Sequence, residues 1–321
     1  MGLSVGVLPG NCLTGGRSIV DMTWRPLRDW FLEHHRDLPW RDPDTTPWAV
    51  LVSEIMLQQT PVSRVIPAWT SWLTRWPTPH ALAEASLGDV LAQWDRMGYP
   101  RRAKNLHRTA QIISEDFGGH LPTDVETLLT LPGIGDYTAR AIACFAYGQP
   151  HPVVDTNVKR VVARVIEGVA AGGHWSTKEG LDAVDRAMEP DLSDEEYCLN
   201  QKALMELGAL VCTARTPRCD ECPLLGVCRW RAAGYPVDNS ILPRTQARYE
   251  GSDRQVRGLI LALLRDQPSD HSLGEITALW HSPAQLNRSL RSLVSDGLVV
   301  ESEREGEPHY GLSWSEPYRG E

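Results

Sequence analysis

Two carboxylates in contrasting surroundings are the residues of this sequence best suited to acid–base chemistry. Glu54 lies in the segment 48–56, in which seven of nine residues are apolar, and Asp155 follows two valines. A carboxyl group in a buried helix is costly unless it is paired, protonated or directed into a cleft, and burial raises its pKa towards that of a general acid. Two such carboxylates are the usual equipment for cleaving a glycosidic bond. A surface glutamate and a helix N-cap aspartate are the plain structural alternatives.

Four of the seven cysteines lie close together near residue 220. Cys212, Cys219, Cys222 and Cys228 follow an x6-x2-x5 spacing, whereas the other three cysteines are scattered. Four thiolates can hold zinc or a cubane iron–sulfur cluster without another ligand. Zinc ribbons usually pair two CxxC knuckles, and this segment has one, so the spacing favours a [4Fe–4S] cluster. Such a cluster can stabilise a loop without redox turnover.

A glycine-containing turn stands between two predicted helices, 124–130 and 136–147. The sequence Leu131-Pro132-Gly133-Ile134-Gly135 allows a left-handed turn and leaves backbone amides open at the start of the second helix. A helix N-terminus with open amides attracts phosphate. The pentapeptide is therefore consistent with a helix–hairpin–helix contact to a DNA backbone, which positions DNA without reading its sequence. An ordinary turn between helices is the alternative.

Two short basic segments flank the hairpin in the sequence. Residues 96–108 contain five Lys or Arg and no acid, and Lys159, Arg160 and Arg164 form a second group. Basic patches supply phosphate contacts whatever the total charge, although a solvated helix face is equally compatible with such a run. The formal charge of −9, from 41 acids and 32 Lys and Arg, excludes a uniformly basic protein. We therefore expect a narrow basic footprint on an acidic body.

The elements that position these residues are mainly helices. Capping-box patterns predict helix starts at Thr123 with Glu126, Ser176 with Glu179, and Ser193 with Glu196. Strand-like alternation is scarce before residue 290. No apolar run reaches the length of a membrane span, and the first residues lack the charged start of a secretory signal. The cysteine usage fits a reducing cytoplasm.

The chain divides into segments of different composition. We expect a loose leader over 1–22, a helical core over 23–231 and a polar linker over 232–252. Helical patterns over 254–266, 273–280 (capped by Ser272 with Glu275) and 283–295 precede two predicted strands at 298–301 and 308–314. Three helices and a β-wing predict a winged-helix-like α+β module over 253–321. A helical tail packed on the core is the alternative.

Several segments together resemble one enzyme family. LPWR (38–41), SEIMLQQT (53–60), MGYPRRAKNLH (97–107), LPGIGDYTARAIACFAYG (131–148), VVDTNVKRV (153–161), ALMELGALVCT (203–213) and the four cysteines occur in one order. This pattern, over residues 24–231, resembles the MutY-type adenine DNA glycosylases of the helix–hairpin–helix superfamily related to endonuclease III. The resemblance implies an all-α fold of two helical lobes: a six-helix barrel over about 45–150, and a cluster lobe from about 23–44 and 151–231.

The resemblance also implies roles for individual residues. Glu54 matches the general acid that protonates adenine N7, Asp155 the carboxylate that stabilises the oxocarbenium-like sugar, and Asn157 its supporting residue. Tyr137 falls where the bifunctional relatives place a nucleophilic lysine, and a phenol cannot form a Schiff base. The resemblance thus implies a monofunctional enzyme that acts on a flipped nucleotide.

DNA contacts follow from the same match. Gln58 and Gln59 match residues near the extruded site, Tyr99 matches the wedge that enters the base stack, and Trp40 with Arg41 match the base pocket. The remaining candidate DNA contacts are basic side chains and hairpin residues: Arg101, Arg102, Lys104, Leu131, Gly133, Gly135 and Lys159. The four cysteines match the ligands of the [4Fe–4S] cluster. The implied partner is double-stranded DNA with a mispair or an oxidised guanine, bound by a monomeric cytoplasmic enzyme, nucleoid-associated if bacterial.

Three departures from the family pattern keep alternatives open. Thr156 stands where these enzymes usually have Gly, and Pro100 replaces the second aromatic of the usual Gly-Tyr-Tyr. The residues after the linker are too few and too helical for the Nudix-like domain with which many members read 8-oxoguanine. A glycosylase specific for thymine or an oxidised pyrimidine, an endonuclease III-like lyase, and a non-catalytic iron–sulfur DNA-binding regulator are therefore the alternatives. Tyr137 disfavours the lyase, and the Glu54–Asp155 pair disfavours the regulator.

Overall fold

The protein was analysed as a computed structural model, which describes residues 24–173, 175–237 and 248–313. The predicted leader, the middle of the predicted linker and the end of the second predicted strand lie outside these ranges. Within them, no helix is long and apolar enough to cross a membrane. The fold is mostly helical with one small sheet, so the expected all-α class with a minor α+β part is confirmed.

Twelve α-helices precede the C-terminal segment in the described part of the chain. They are α1 (Arg25–His34), α2 (Pro47–Leu57), α3 (Val62–Arg75), α4 (Pro79–Ala83), α5 (Leu87–Trp94), α6 (Arg101–Asp116), α7 (Val125–Leu128), α8 (Asp136–Tyr147), α9 (Thr156–Val162), α10 (Thr177–Ala187), α11 (Asp194–Leu210) and α12 (Arg229–Ala232). A π-helical turn, Ala163–Glu167, continues α9. Short 3₁₀ turns lie at Pro39–Arg41, Asp95–Met97 and Cys219–Glu221.

Most predicted helix starts are confirmed by their capping geometry. Ser176 and Ser193 form complete capping boxes with Glu179 and Glu196. The box predicted at Thr123 is wrong, because Asp124 accepts the Thr127 amide and caps α7 instead. An aspartate at this position competes successfully with the preceding threonine, since both are good N-cap residues.

The contacts between Cα atoms divide the chain into two compact units. Unit 1 consists of residues 1–35 and 156–238, and unit 2 consists of 36–155 and 239–321, each within the limits of the described residues. Helix α1 packs on α11 in unit 1, and α11 also packs on α9. Gly208 of α11 permits that second approach, because a Cβ there would lie 2.6 Å from the Asn157 Cβ.

The core of unit 2 is rich in tryptophan and encloses α2. Trp72 packs edge-to-face against both Trp76 and Trp94, with ring centroids 4.7 and 5.5 Å apart. Helix α2 lies against α3, α6 and α8. All nine residues of 48–56 are buried, so the prediction of a buried helix around Glu54 is confirmed.

The C-terminal segment of unit 2 contains three helices and a three-stranded sheet. They are α13 (Asp253–Asp266), β1 (His271–Ser272), α14 (Leu273–Thr277), α15 (Pro283–Ser295), β2 (Val300–Arg304) and β3 (Glu307–Gly311). The sheet is antiparallel in the order β1-β3-β2, with Ser302 opposite His309. The capping box of Ser272 with Glu275 is confirmed.

Three details of this segment differ from the sequence expectation. Helix α14 ends at Thr277 rather than at 280, the first predicted strand begins two residues later, and the two-residue strand β1 was not predicted. Short strands that pair only at one end carry too little alternation to be recognised. The apolar residues of α13–α15 belong to the same core cluster as those of α2–α8, so this module packs directly on the body.

Candidate active site and cysteine centre

Glu54 is a buried carboxyl group on the inner side of unit 2. Thr46 caps α2 and Pro47 occupies its first turn, which fixes the start of the helix that presents Glu54. The residue is 7% exposed. The pKa of Glu54 is raised to about 7, with desolvation as the largest cause and the charge of the nearby Asp155 carboxylate as a smaller one. The hydrogen bond from Tyr137 and the positive charge of Arg41 act in the opposite direction.

Tyr137 and Asp155 complete a cluster around Glu54. Tyr137 lies in the first turn of α8, which packs on α2, and its hydroxyl donates to the Glu54 carboxylate. Burial, and then the negative charges of Glu54 and Asp155, raise the pKa of Tyr137 well above its ordinary value. The phenol is therefore neutral and acts as a hydrogen-bond donor. The structure thus brings Tyr137 and Asp155 together with Glu54, which lies in a distant part of the sequence.

The two predicted pocket residues lie next to the start of α2. Trp40 and Arg41 belong to the 3₁₀ turn that contacts α2, and both are half-buried. The Trp40 ring meets Trp69 edge-to-face at 5.9 Å, and Arg41 donates to the Arg36 carbonyl at 3.2 Å. Because the charge of Arg41 acts on Glu54, this turn faces the carboxyl cluster.

The hairpin has the geometry of an open helix N-terminus. Gly133 has φ +80°, and a Cβ there would lie 2.9 Å from the Asn105 Cβ, so both the conformation and the space require glycine. Gly135 caps α8 without a side-chain hydrogen bond, which leaves the first amides open. Leu131 is buried and anchors the turn rather than presenting its side chain. Asp136 follows in the first turn, where its carboxylate forms an ion pair with the Arg140 guanidinium at 3.1 Å.

Tyr99 and the two glutamines lie on the outer edge of the same unit. Tyr99 is 42% exposed and has φ +49°, while Gln59 is exposed with φ +58°. Gln58 follows the last residue of α2, and its side-chain amide approaches the Thr138 hydroxyl at 3.5 Å. The accessible ring of Tyr99 is compatible with the predicted wedge.

The basic side chains of α6 contact other parts of the protein, whereas the sequence predicted that they contact DNA. Arg101 forms an ion pair with Asp296, and the Lys104 ammonium donates to the Asp296 carbonyl at 2.7 Å. The C-terminal module therefore already occupies these two predicted phosphate contacts. Arg102 is 9% exposed and donates only to groups within the protein, so its prediction as a DNA contact is corrected.

Asn157 and Lys159 lie in unit 1. The side-chain oxygen of Asn157 accepts from Arg160 at 2.8 Å. The Lys159 ammonium donates to the Trp175 carbonyl at 2.6 Å and lies 5.8 Å from the Trp175 ring centre. Desolvation lowers the pKa of Lys159. Lys159 thus contacts Trp175 within its own unit, and its contact with DNA stays a prediction.

The four clustered cysteines line one enclosed cavity in unit 1. Cys212, Cys219, Cys222 and Cys228 share it with Arg164, Leu207 and Trp230. The Arg164 guanidinium donates to the Cys212 sulfur at 3.3 Å and lies 4.2 Å from the Trp230 ring centre. Burial raises the pKa of Cys222 to about 12, and the other three thiols contribute. Four thiolates can therefore be held here only with a cationic partner.

The donor set at this cavity suits a cubane cluster. Each of the four irons of a cubane takes one thiolate, and four cysteines line the cavity. The donor set and the apolar wall of Leu207, Val211 and Leu225 therefore fit an iron–sulfur cluster.

Sequence reasoning missed the internal role of Arg102 and the acidic anchor at Asp296. A signal for the first was present, because Arg102, Leu106, Thr109 and Ile113 recur at i, i+4, i+7 and i+11 and form the buried face of α6. No comparable signal marks Asp296, which contacts residues almost two hundred positions away.

Comparison with known proteins was made for the whole chain. It is 52% identical over 277 residues to the adenine DNA glycosylase of Mycolicibacterium smegmatis, which covers 86% of this chain and 92% of that protein. It is 50% identical over 295 residues to the adenine DNA glycosylase of Mycobacterium tuberculosis, covering 92% and 94% of the two chains. The human adenine DNA glycosylase is 42% identical over 220 residues, covering 64% of this chain and 38% of that protein.

Family models and solved structures match the same regions. Residues 52–168 match the HhH-GPD superfamily of base excision DNA repair proteins, and residues 212–228 match the iron–sulfur binding domain of endonuclease III. The solved structures include a thermostable thymine-DNA glycosylase, with TM-score 0.57 and 23% identity over 65% of this chain and 94% of that chain. A trapped endonuclease III–DNA intermediate has TM-score 0.55 over 66% and 97%. At this identity the likeness concerns the fold. The expected iron–sulfur cofactor is confirmed.

The cysteine centre makes a prediction about stability. Cys222→Ser is expected to reduce bound iron and sulfide to a small fraction, and to destabilise unit 1 by about 4 kcal/mol or more, because loss of a structural metal centre is among the largest single-residue effects. Iron analysis, visible absorbance and thermal unfolding measure these changes. Cys198 is a buried cysteine on α11 of the same unit, outside the cluster loop. The Cys198→Ala variant is therefore the matched control, and the protein should keep its iron. Full iron content in Cys222→Ser would contradict the assignment.

Proposed function

Because this chain belongs to the adenine DNA glycosylases, which are helix–hairpin–helix base excision repair enzymes with an iron–sulfur cluster, we propose that it removes adenine paired with 8-oxoguanine or guanine by hydrolysis alone. The observation that carries this proposal is the cluster of the buried Glu54 with the half-buried Tyr137 and Asp155, beside an open hairpin. The strand is left uncut, in contrast to the products of a lyase.

Glu54 is the proposed proton donor. A carboxyl group with a pKa near 7 is partly protonated at neutral pH and can transfer its proton to adenine N7, which makes the base a better leaving group. The Tyr137 hydroxyl stabilises the carboxylate that remains after the transfer. The target nucleotide must leave the duplex to reach this buried group, since the N-glycosidic bond is otherwise enclosed in the base stack.

Asp155 is the proposed anion opposite the developing sugar cation. As the glycosidic bond lengthens, positive charge forms on the sugar, and a carboxylate held in a water-poor site stabilises it more strongly than it would in bulk water. Water then adds at the anomeric carbon. Asn157 lies in the first turn of the helix that follows Asp155, and the family resemblance assigns it the support of that carboxylate.

Tyr137 supports the absence of strand cleavage. Elimination at the sugar needs an amine that forms a Schiff base with the opened ring, and a neutral phenol cannot do so. The raised pKa keeps Tyr137 in the neutral form. The position that carries a lysine in bifunctional relatives therefore serves here as a hydrogen-bond donor to the general acid.

Several groups are proposed to hold the DNA. The open amides after Gly135 donate to a phosphate of the DNA backbone. Tyr99 enters the base stack, and Gln58 with Gln59 lie next to the opposing base. Trp40 and Arg41 contact the extruded adenine. Arg101, whose side chain is largely exposed, and Lys104 are proposed to add phosphate contacts beside their contacts with Asp296. The enzyme is proposed to act as a monomer.

A substrate panel tests the proposal. Duplexes that contain adenine opposite 8-oxoguanine, adenine opposite guanine, thymine opposite guanine, or thymine glycol are incubated with iron-loaded protein, with and without alkali. Strand scission at adenine that depends on alkali, fastest opposite 8-oxoguanine, is expected. Scission without alkali would contradict the monofunctional mechanism, and a faster reaction at thymine or thymine glycol would contradict the base specificity.

The surroundings of Glu54 predict a pH dependence. Because the general acid must be protonated, the single-turnover rate is expected to fall as the pH rises through about 7. Tyr137→Phe removes a hydrogen bond that lowers the pKa of Glu54, so it should move this descending limb to higher pH. Tyr147→Phe, on the same helix but bonded to the Leu121 carbonyl, should leave the midpoint unchanged. An unchanged midpoint in Tyr137→Phe would exclude the proposed contact.

A further inference from the structure

Arg102 joins two segments of unit 2 that the proposed function places on either side of the extruded nucleotide. One is the end of α2, which carries Glu54, with the following residues Gln58 and Gln59. The other is the loop 97–99, which carries Tyr99. These segments are connected in the sequence only through α3, α4 and α5, so their relative position depends on tertiary contacts.

The two terminal nitrogens of the guanidinium bind three groups each, and together they connect the two segments. One nitrogen donates to the carbonyls of Ile55, Met56 and Gln58, at 2.9, 2.9 and 2.6 Å. The other donates to the Thr60 hydroxyl at 3.0 Å and to the carbonyls of Met97 and Gly98 at 3.1 Å. The first set consists of the last carbonyls of α2 and the residue after it, which have no partner within the helix.

The charge of Arg102 is balanced by these dipoles. Arg102 is buried, and a buried charge usually needs a partner. Among the described residues, however, it forms no ion pair with a carboxylate. A cation at a helix C-terminus is favoured by the helix dipole. Its guanidinium carbon also lies 5.1 Å from the ring centre of Trp94 and 5.5 Å from that of Tyr99. The group therefore touches the predicted wedge directly as well as through its backbone.

Both segments adopt backbone conformations that need support. Gln59 and Tyr99 have φ of +58° and +49°, backbone angles that residues other than glycine rarely adopt. Each directly follows a carbonyl that Arg102 binds, those of Gln58 and Gly98. Such conformations persist where the surroundings fix them.

We infer that Arg102 is a positioning residue that fixes the Tyr99 loop relative to the catalytic helix, so that insertion of Tyr99 and delivery of adenine to Glu54 occur in register. This inference rests on the proposed function. Lysine at this position keeps the charge but offers one nitrogen in place of two, so it cannot reproduce both sets of contacts at once. A small displacement of groups that must align can reduce a rate by about 100-fold.

A double-mutant cycle tests the inference. Single-turnover excision is measured for the unmodified protein, Arg102→Lys, Tyr99→Ala and the double variant. Arg102→Lys is expected to slow excision by about 10–100-fold, with iron content and thermal unfolding close to those of the unmodified protein. Because Arg102 acts through Tyr99, the double variant should be no more than about 3-fold slower than the slower single variant. Effects that multiply would overturn the inference.

A second readout separates positioning from general damage. 2-Aminopurine at the target position gains fluorescence when it leaves the stack, and Arg102→Lys should reduce this gain. Arg75→Lys, on α3 and paired with Asp89, is the matched control with unchanged fluorescence and rate. An undiminished gain in Arg102→Lys would overturn the inference. If Arg102→Lys fails to fold, Thr60→Val removes one acceptor of Arg102, and the cycle is repeated with an expected loss of about 3–10-fold; no loss would overturn the inference.

The cycle uses the adenine mispair that the unmodified protein excises fastest. A preference for a mispair other than adenine opposite 8-oxoguanine would change the proposed substrate and leave the test of Arg102 intact. Normal excision of that mispair by Arg102→Lys would reject the positioning role and leave the proposed substrate intact.

Discussion

Glu54→Gln is expected to slow adenine excision by about 10²–10⁴-fold, the usual contribution of general acid–base catalysis. Glutamine has nearly the shape of a protonated glutamate and can still accept the Tyr137 hydrogen bond, but it has no proton to transfer to N7. Because the buried carboxyl group carries a desolvation cost, its neutral replacement should not destabilise unit 2. Single-turnover excision and binding to the mispaired duplex measure the two properties separately.

A matched control distinguishes the chemistry from the loss of any buried acid. Glu206 is fully buried on α11 of unit 1 and has no place in the proposed site. Folded Glu206→Gln should excise adenine within a few-fold of the unmodified rate. If Glu54→Gln keeps the unmodified rate, another group donates the proton and the assignment of Glu54 is wrong.

Asp155→Asn is expected to slow excision by about 10²–10³-fold, by analogy with the loss of one preorganised electrostatic group from an enzyme site. The amide keeps the size of the side chain but removes the negative charge that would stabilise the sugar cation. The same charge raises the pKa of Glu54, so its removal should lower that pKa and move the descending limb of the rate to lower pH. A pH profile of single-turnover excision measures both effects.

The direction of the pH shift makes this prediction specific. Damage to folding would lower the rate without moving the limb, whereas loss of the Asp155 charge moves it downwards, opposite to the shift expected for Tyr137→Phe. Asp116→Asn, at the exposed end of α6, is a suitable control of equal charge change. A limb that stays in place in Asp155→Asn would show that the two carboxyl groups do not interact.

Ion pairs connect the C-terminal module to the rest of unit 2. Within the module, Arg288 pairs with Asp253 and Arg257 with Asp296. Asp296 also pairs with Arg101 of α6, and Arg265 lies 3.6 Å from the Asp95 carboxylate beside the Tyr99 loop. These contacts, with the shared apolar core, fix the module on the body of unit 2.

The sequence by itself determined the elements and the chemistry that local patterns encode. The nine buried residues around Glu54, the capping boxes at Ser176 and Ser193, and helix α8 after the hairpin all follow from periodicity and capping within a few residues. The spacing of the four cysteines likewise predicted a cluster, because its ligands lie within one short loop.

The tertiary structure alone decided which charged groups are free to act. Arg101, Arg102 and Lys104 are equivalent as letters in a basic run, yet one binds Asp296, one is buried against α2 and one donates to a carbonyl of the module. The pKa of Glu54 likewise depends on burial and the Asp155 charge, which raise it, and on the Tyr137 hydrogen bond, which lowers it. Charge interactions and desolvation depend on distances between segments far apart in the chain, and no local pattern encodes those distances.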